Sequence, residues 1–128
     1  MEDQNFLEIQ QVLNLYFEGV YRGDVEKLKQ AFHPQALLFG DVNQGPYFKT
    51  LEEYLDVVKN RKSPAEQGED FSMEAFGIEI LGNIAIAKAS LRMLNYEYRD
   101  LLSLVKSVDR WQIVNKSFTN FYEPNRNE

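Results

Sequence analysis

Near the start of the chain, apolar residues recur at alternating steps of three and four, so that Phe6, Ile9, Leu13, Tyr16 and Val20 share one helical face. Asn5 with Glu8 predicts a capping box at the start of this helix, Glu18 and Arg22 an exposed pair four apart, and Gly23 its stop. Asp24 should cap a shorter helix through Val25, Leu28 and Phe32, ended by His33-Pro34. Residues 36–42 read as a strand, followed by a turn around Asn43 to Gly45 and a short extended piece at Tyr47-Phe48. Thr50 with Glu53 predicts a second capping box, opening a third helix with Leu51, Tyr54, Leu55 and Val58 on one face. Lys59, Arg61 and Lys62 suit the negative end of that helix.

The texture then changes. After a linker-like stretch at 63–70, strand patterns run over 71–81, 84–94, 98–108 and 110–121, with turns at Gly82-Asn83 and Asp109. In 84–94, Ala85, Ala87, Ala89, Leu91 and Met93 form a small apolar face opposite Ile84, Ile86, Lys88, Ser90 and Arg92. Short connections imply antiparallel neighbours. Helices gathered in the first half and strands in the second are the α+β pattern, and 128 residues suit a single domain over 1–128.

Composition narrows the function classes. Nine Phe, seven Tyr and one Trp within a 44% hydrophobic chain supply a real core. The net charge of −6 and the scattered Lys and Arg argue against a nucleic-acid surface. Without cysteine there is no disulfide framework, thiolate zinc site or thiol nucleophile, and the lone His33 argues against a metal. Nothing resembles a secretory leader or a membrane span, so no membrane partner and a cytoplasmic location are expected. Dinucleotide, P-loop and nucleophile-elbow motifs are absent, and no cofactor is expected.

The run Tyr16-Phe17-Glu18-Gly19 leading to Arg22-Gly23-Asp24 and then Ala31-Phe32-His33-Pro34-Gln35-Ala36 resembles the nuclear transport factor 2-like superfamily. The tail Leu101 to Lys106 and Arg110 to Lys116 is similar to its branch described as putative lumazine-binding, near the polyketide-cyclase-like proteins. The resemblance spans nearly the whole chain. It implies a cone-shaped, cystatin-like fold: three N-terminal helices packed on a strongly curved, mainly antiparallel sheet, with an apolar cavity open at one end. It also implies a homodimer paired through the outer sheet face, which would carry Lys88, Ser90 and Arg92.

The superfamily includes ketosteroid isomerases, and comparison with them places Tyr16 where those enzymes carry a tyrosine that donates to an oxyanion. Gly40 occupies the position of their carboxylate base, with Asp41 one residue late, and Leu101 that of their protonated aspartic acid, with Asp100 one residue early. On a strand, one residue means the other face. Ketosteroid isomerisation is therefore not expected.

Candidate catalytic residues are Tyr16, His33 and Asp41; His33 could equally be a helix-stop residue bonding a terminal carbonyl. Tyr54, Tyr98 and Trp111 could stack on a planar ligand or simply fill the core. The leading expectation is a small-molecule binding protein whose apolar pocket is lined by Tyr16, Val20, Phe39, Tyr54, Val58, Trp111 and Ile113, with Asp41 or His33 near its mouth. The alternatives are a cyclase, dehydratase or isomerase acting on a small apolar or planar substrate, and a dimeric scaffold whose own aromatics fill the pocket.

Overall fold

The computed structural model describes residues 3–122. Their order is α1 (Gln4–Arg22), α2 (Val25–Ala31), β1 (Phe32–Val42), β2 (Gly45–Thr50), α3 (Leu51–Asn60), β3 (Met73–Leu81), β4 (Ile84–Met93), β5 (Tyr96–Ser107) and β6 (Arg110–Tyr122). Local side-chain chemistry sets most helix ends. Gly23 closes α1 at φ 68°, a left-handed conformation that costs glycine little. Asp24 accepts from the Glu26 and Lys27 amides, and Thr50 with Glu53 completes a reciprocal capping box.

Two ends differ from the sequence expectation. Asp3, rather than Asn5, caps α1, accepting from the Asn5 amide at 3.0 Å. Asn5 is drawn into long-range contacts instead: its Oδ1 accepts from Trp111 Nε1 at 3.1 Å and from Lys106 Nζ at 3.0 Å. α2 stops at Ala31, because Phe32 is already extended and pairs with Ile113 of β6. Pro34 keeps His33 out of helical geometry as well.

The six strands of the sheet follow the order β2-β1-β6-β5-β4-β3. Only β1 and β6 run parallel; the other neighbours are antiparallel hairpin partners. Asn43 and Gln44, Leu94 and Asn95, and Val108 and Asp109 all take positive φ, as two-residue hairpin loops demand. Extra residues interrupt the ladders at Phe76 in β3 and Val114 in β6, and such bulges bend a strand and re-aim its side chains.

The inner face of β4 is the expected row of Ala85, Ala87, Ala89, Leu91 and Met93. Ile9, Leu13, Tyr16 and Val20 of α1 and Leu51, Tyr54 and Val58 of α3 are buried, and join that row with Leu102, Leu104 and Ile113 in one core. The architecture is α+β, three helices against one mainly antiparallel sheet among the described residues.

Candidate functional site

One row of inward positions crosses the sheet through the pairs Gly40–Phe118, Phe118–Asp100, Asp100–Ala89 and Ala89–Ala75. Asp100 therefore stands in the middle of the inner face, with small alanines on one side and an aromatic ring on the other. It is 2% exposed. A neighbouring row carries Leu38, Lys116, Leu102 and Ala87, and its lysine is 4% exposed. Placing an acid and an amine on a buried face is costly unless they find partners.

Those partners come from the helices. Tyr16 of α1, held edge-on to Phe32 with centroids 5.8 Å apart, donates its hydroxyl to Asp100 Oδ2 at 2.5 Å. The other carboxyl oxygen, Oδ1, is buried without a hydrogen-bond partner among the described residues. Tyr54 of α3 meets Lys116, whose Nζ lies 3.4 Å from the phenol oxygen. The same ammonium sits 4.4 Å from the Phe118 ring centre, 4.7 Å from that of Tyr54 and 5.2 Å from that of Tyr16, a cage of ring faces that favours a cation.

These groups border a cavity of about 150 Å³ between α1, α3 and the inner face of the sheet, completed by Val42, Tyr47, Val57, Leu91, Met93, Tyr98 and Arg61. Burial raises the Asp100 carboxyl above the ordinary aspartate value, while Lys116 and the Tyr16 hydroxyl pull it back. Burial first, then the Asp100 charge, pushes the Tyr16 phenol well above its ordinary value. Tyr47 rises to about 12, by burial and then Tyr54, with Arg61 opposing. A buried carboxyl with a raised pKa, one free lone-pair oxygen and a phenol on the other is a proton acceptor built into a cavity wall.

Of the residues singled out from the sequence, Tyr16, Tyr54 and Tyr98 border this cavity. Val20, Val58 and Ile113 are buried in the core without lining it. Trp111 is buried elsewhere, tied to Asn5 at the start of α1. Phe39 is 45% exposed on the outer face, its ring tilted against that of Phe48 with centroids 4.8 Å apart, because β1 alternates and it is Leu38 that points inward. Asp41 shares that outer side and is exposed, whereas Gly40 and Val42 carry the inward phase. His33 lies on β1, away from the cavity, and its Nδ1 accepts from the Gln35 amide at 3.0 Å rather than bonding a terminal carbonyl.

Asp100 and Lys116 were missed as site residues. The comparison anchored on Phe118 points to Leu101, which is 46% exposed; the cross-strand partner of Phe118 is Asp100. The signal was present in β5 itself, where Tyr98, Leu102 and Leu104 keep even phase with Asp100. Arg61 was read only as a helix-end charge. A wider open groove of about 520 Å³ runs between α1 and β3, and Glu74 is its one ionisable lining group. Among the described residues no three His, Asp or Glu side chains converge to hold a metal, and no helix is long and apolar enough to cross a membrane.

Comparison with known proteins agrees with this architecture. The model of the family described as putative lumazine-binding matches residues 4–119. The chain is 30% identical over 111 residues to aldolase FrzH of Cladobotryum sp., covering 83% of each. Among solved structures, an NTF2-like protein of unknown function from Methylobacillus flagellatus superposes with a TM-score of 0.84 at 26% identity, over 94% of this chain and 95% of that one. An NTF-2-like protein of unknown function from Silicibacter pomeroyi also reaches 0.84, at 17% identity, over 92% and 97%.

Proposed function

Because the chain belongs to the putative lumazine-binding family within the NTF2-like proteins, we propose that its cavity takes up a small molecule and that Asp100, Tyr16 and Lys116 move a proton on it. The observation that carries this reading is the pairing of Tyr16 with Asp100 Oδ2 while Oδ1 remains without a partner beside the cavity. In this scheme Oδ1 takes a proton from the carbon next to a carbonyl. The electron pair of that C–H bond moves onto the carbonyl oxygen as an enolate. Lys116 faces that oxygen with its charge and the N–H groups not given to Tyr54, a stabilisation worth most where water is excluded.

Enolate formation is the first half of an aldol reaction, and the relative named an aldolase supports that class over a dehydratase. Volume supports a ligand no larger than a single ring, since a cavity of about 150 Å³ accommodates a benzene-sized guest. Lumazine, with two fused rings, is larger. The polar wall distinguishes this reading from simple apolar binding and from a scaffold packed by its own aromatics.

The test is hydrogen exchange at carbon. Small ketones and aldehydes incubated with the protein in D₂O should lose their α-proton NMR signals, and Asp100→Asn should slow that loss by about 100-fold or more. Exchange that is unchanged in a folded Asp100→Asn variant would refute the role of the carboxylate.

A further inference from the structure

Arg61 borders the same cavity from the end of α3, where Tyr54, Val57 and Arg61 stack on one helical side. Its backbone amide closes the helix on Val57 at 3.1 Å, which fixes where the side chain leaves. Its Nε and Nη2 are both buried, and neither has an acceptor among the described residues. Unpaired buried guanidinium donors are expensive, and two of them on one edge are the fork that matches a carboxylate. The surrounding phenols of Tyr16, Tyr47 and Tyr98 feel the Arg61 charge, which opposes the upward push of burial on each. Charge balance points the same way: two cations, Arg61 and Lys116, line the cavity against one carboxyl, Asp100.

We propose that the ligand of this cavity is a small oxo acid, its carboxylate held by the Nε and Nη2 edge of Arg61 and its carbonyl turned to Lys116 and the Asp100–Tyr16 pair. The assignment rests on the proton-transfer reading above and adds the substrate class to it. A carboxylate at Arg61 satisfies both orphan donors and cancels the excess positive charge. It also orients the molecule, so that one end is fixed while the carbon beside the carbonyl meets Asp100. The cavity volume limits the acid to a short chain or a single ring.

The experiment is an NMR titration of the isotope-labelled protein with pyruvate, 2-oxobutyrate and cyclohexanecarboxylate, each set against a neutral counterpart: acetone, butanone and cyclohexanecarboxamide. The carboxylates should shift the signals of Val42, Val57 and Leu91 and bind more tightly than their partners. Arg61→Gln should weaken the carboxylates by about ten- to hundredfold while leaving the neutral compounds unchanged. Arg61→Lys, which keeps the charge but loses the fork, should recover only part of the loss. Neutral compounds binding as well as the acids to the wild-type protein would overturn the assignment without recourse to any variant. Carboxylate binding indifferent to Arg61→Gln would overturn it too. If neutral ketones alone bind, and their α-protons exchange through Asp100, the oxo-acid assignment falls and the proton-transfer reading stands; if no compound of either class binds, both fall.

Discussion

Tyr16 and Asp100 stand 84 residues apart in the chain and meet at 2.5 Å in its interior, joining the first helix to the centre of the sheet. Burial of the carboxyl, which the bond only partly offsets, gives the site a pH signature. Asp100 is raised in the folded state, so the stability it contributes is fully present below the ordinary aspartate value of 3.8 and is lost as pH rises through the raised value. Asp100→Asn removes this titration while keeping an acceptor for Tyr16. In urea denaturation across acid to neutral pH, the advantage of the wild type over the variant is expected to shrink as pH increases. An advantage that grows with pH would contradict the burial of the carboxyl.

Gly40 occupies the inward position nearest Phe118, and a Cβ there would come within 2.5 Å of the Phe118 carbonyl oxygen and 3.1 Å of its ring. Gly40→Ala is expected to destabilise the fold by about 1–3 kcal/mol, the usual cost of overpacking. The same crowding leaves no room for a carboxylate at this position, and Asp41 faces away. Isomerisation of a Δ5-3-ketosteroid is thus expected to be undetectable in wild type; activity that disappears in Tyr16→Phe would contradict this.

The outer face carries its own pattern. Phe48, Phe39, Ser117, Leu101 and Lys88 follow one another across five strands, and Ile84, Ile86 and Leu81 add exposed apolar surface nearby. Pairing with a second copy would cover the apolar members of this row, and such pairing is expected. Arg92, expected from sequence to contribute, is engaged with Glu97 at 3.0 Å. Sedimentation should find a homodimer that the double variant Phe39→Ser, Leu101→Arg converts to a monomer with intact secondary structure. A wild-type monomer would contradict the pairing.

Much of the fold was legible because its determinants are local. Gly23, Asp24 and the Thr50–Glu53 pair act on backbone groups within a few residues, and the alanines of β4 announce their face by simple alternation. The site was less legible because it depends on phase carried over distance. The extra residue at Val114 shifts the β5–β6 register by one, so that Phe118 faces Asp100 rather than Arg99, and residue spacing alone does not reveal that shift. Asn5 shows the same limit: a local capping pattern lost to Trp111, more than a hundred residues away, and to Lys106. Arg61 looked like a helix-end charge because of its place beside Lys59 and Lys62, although it follows Tyr54 and Val57 at helical spacing. Tyr16 was found because its helical stripe is unbroken.

The most direct test of the account is the titration of the Asp100 carboxyl carbon itself, followed by ¹³C NMR in wild type and in Tyr16→Phe. The account requires a midpoint above 3.8 in the wild type and a further rise in the variant, since the phenol hydrogen bond holds the carboxyl down. A midpoint at or below 3.8, or one that does not move when the hydroxyl is removed, would contradict a buried, Tyr16-paired proton acceptor at the cavity.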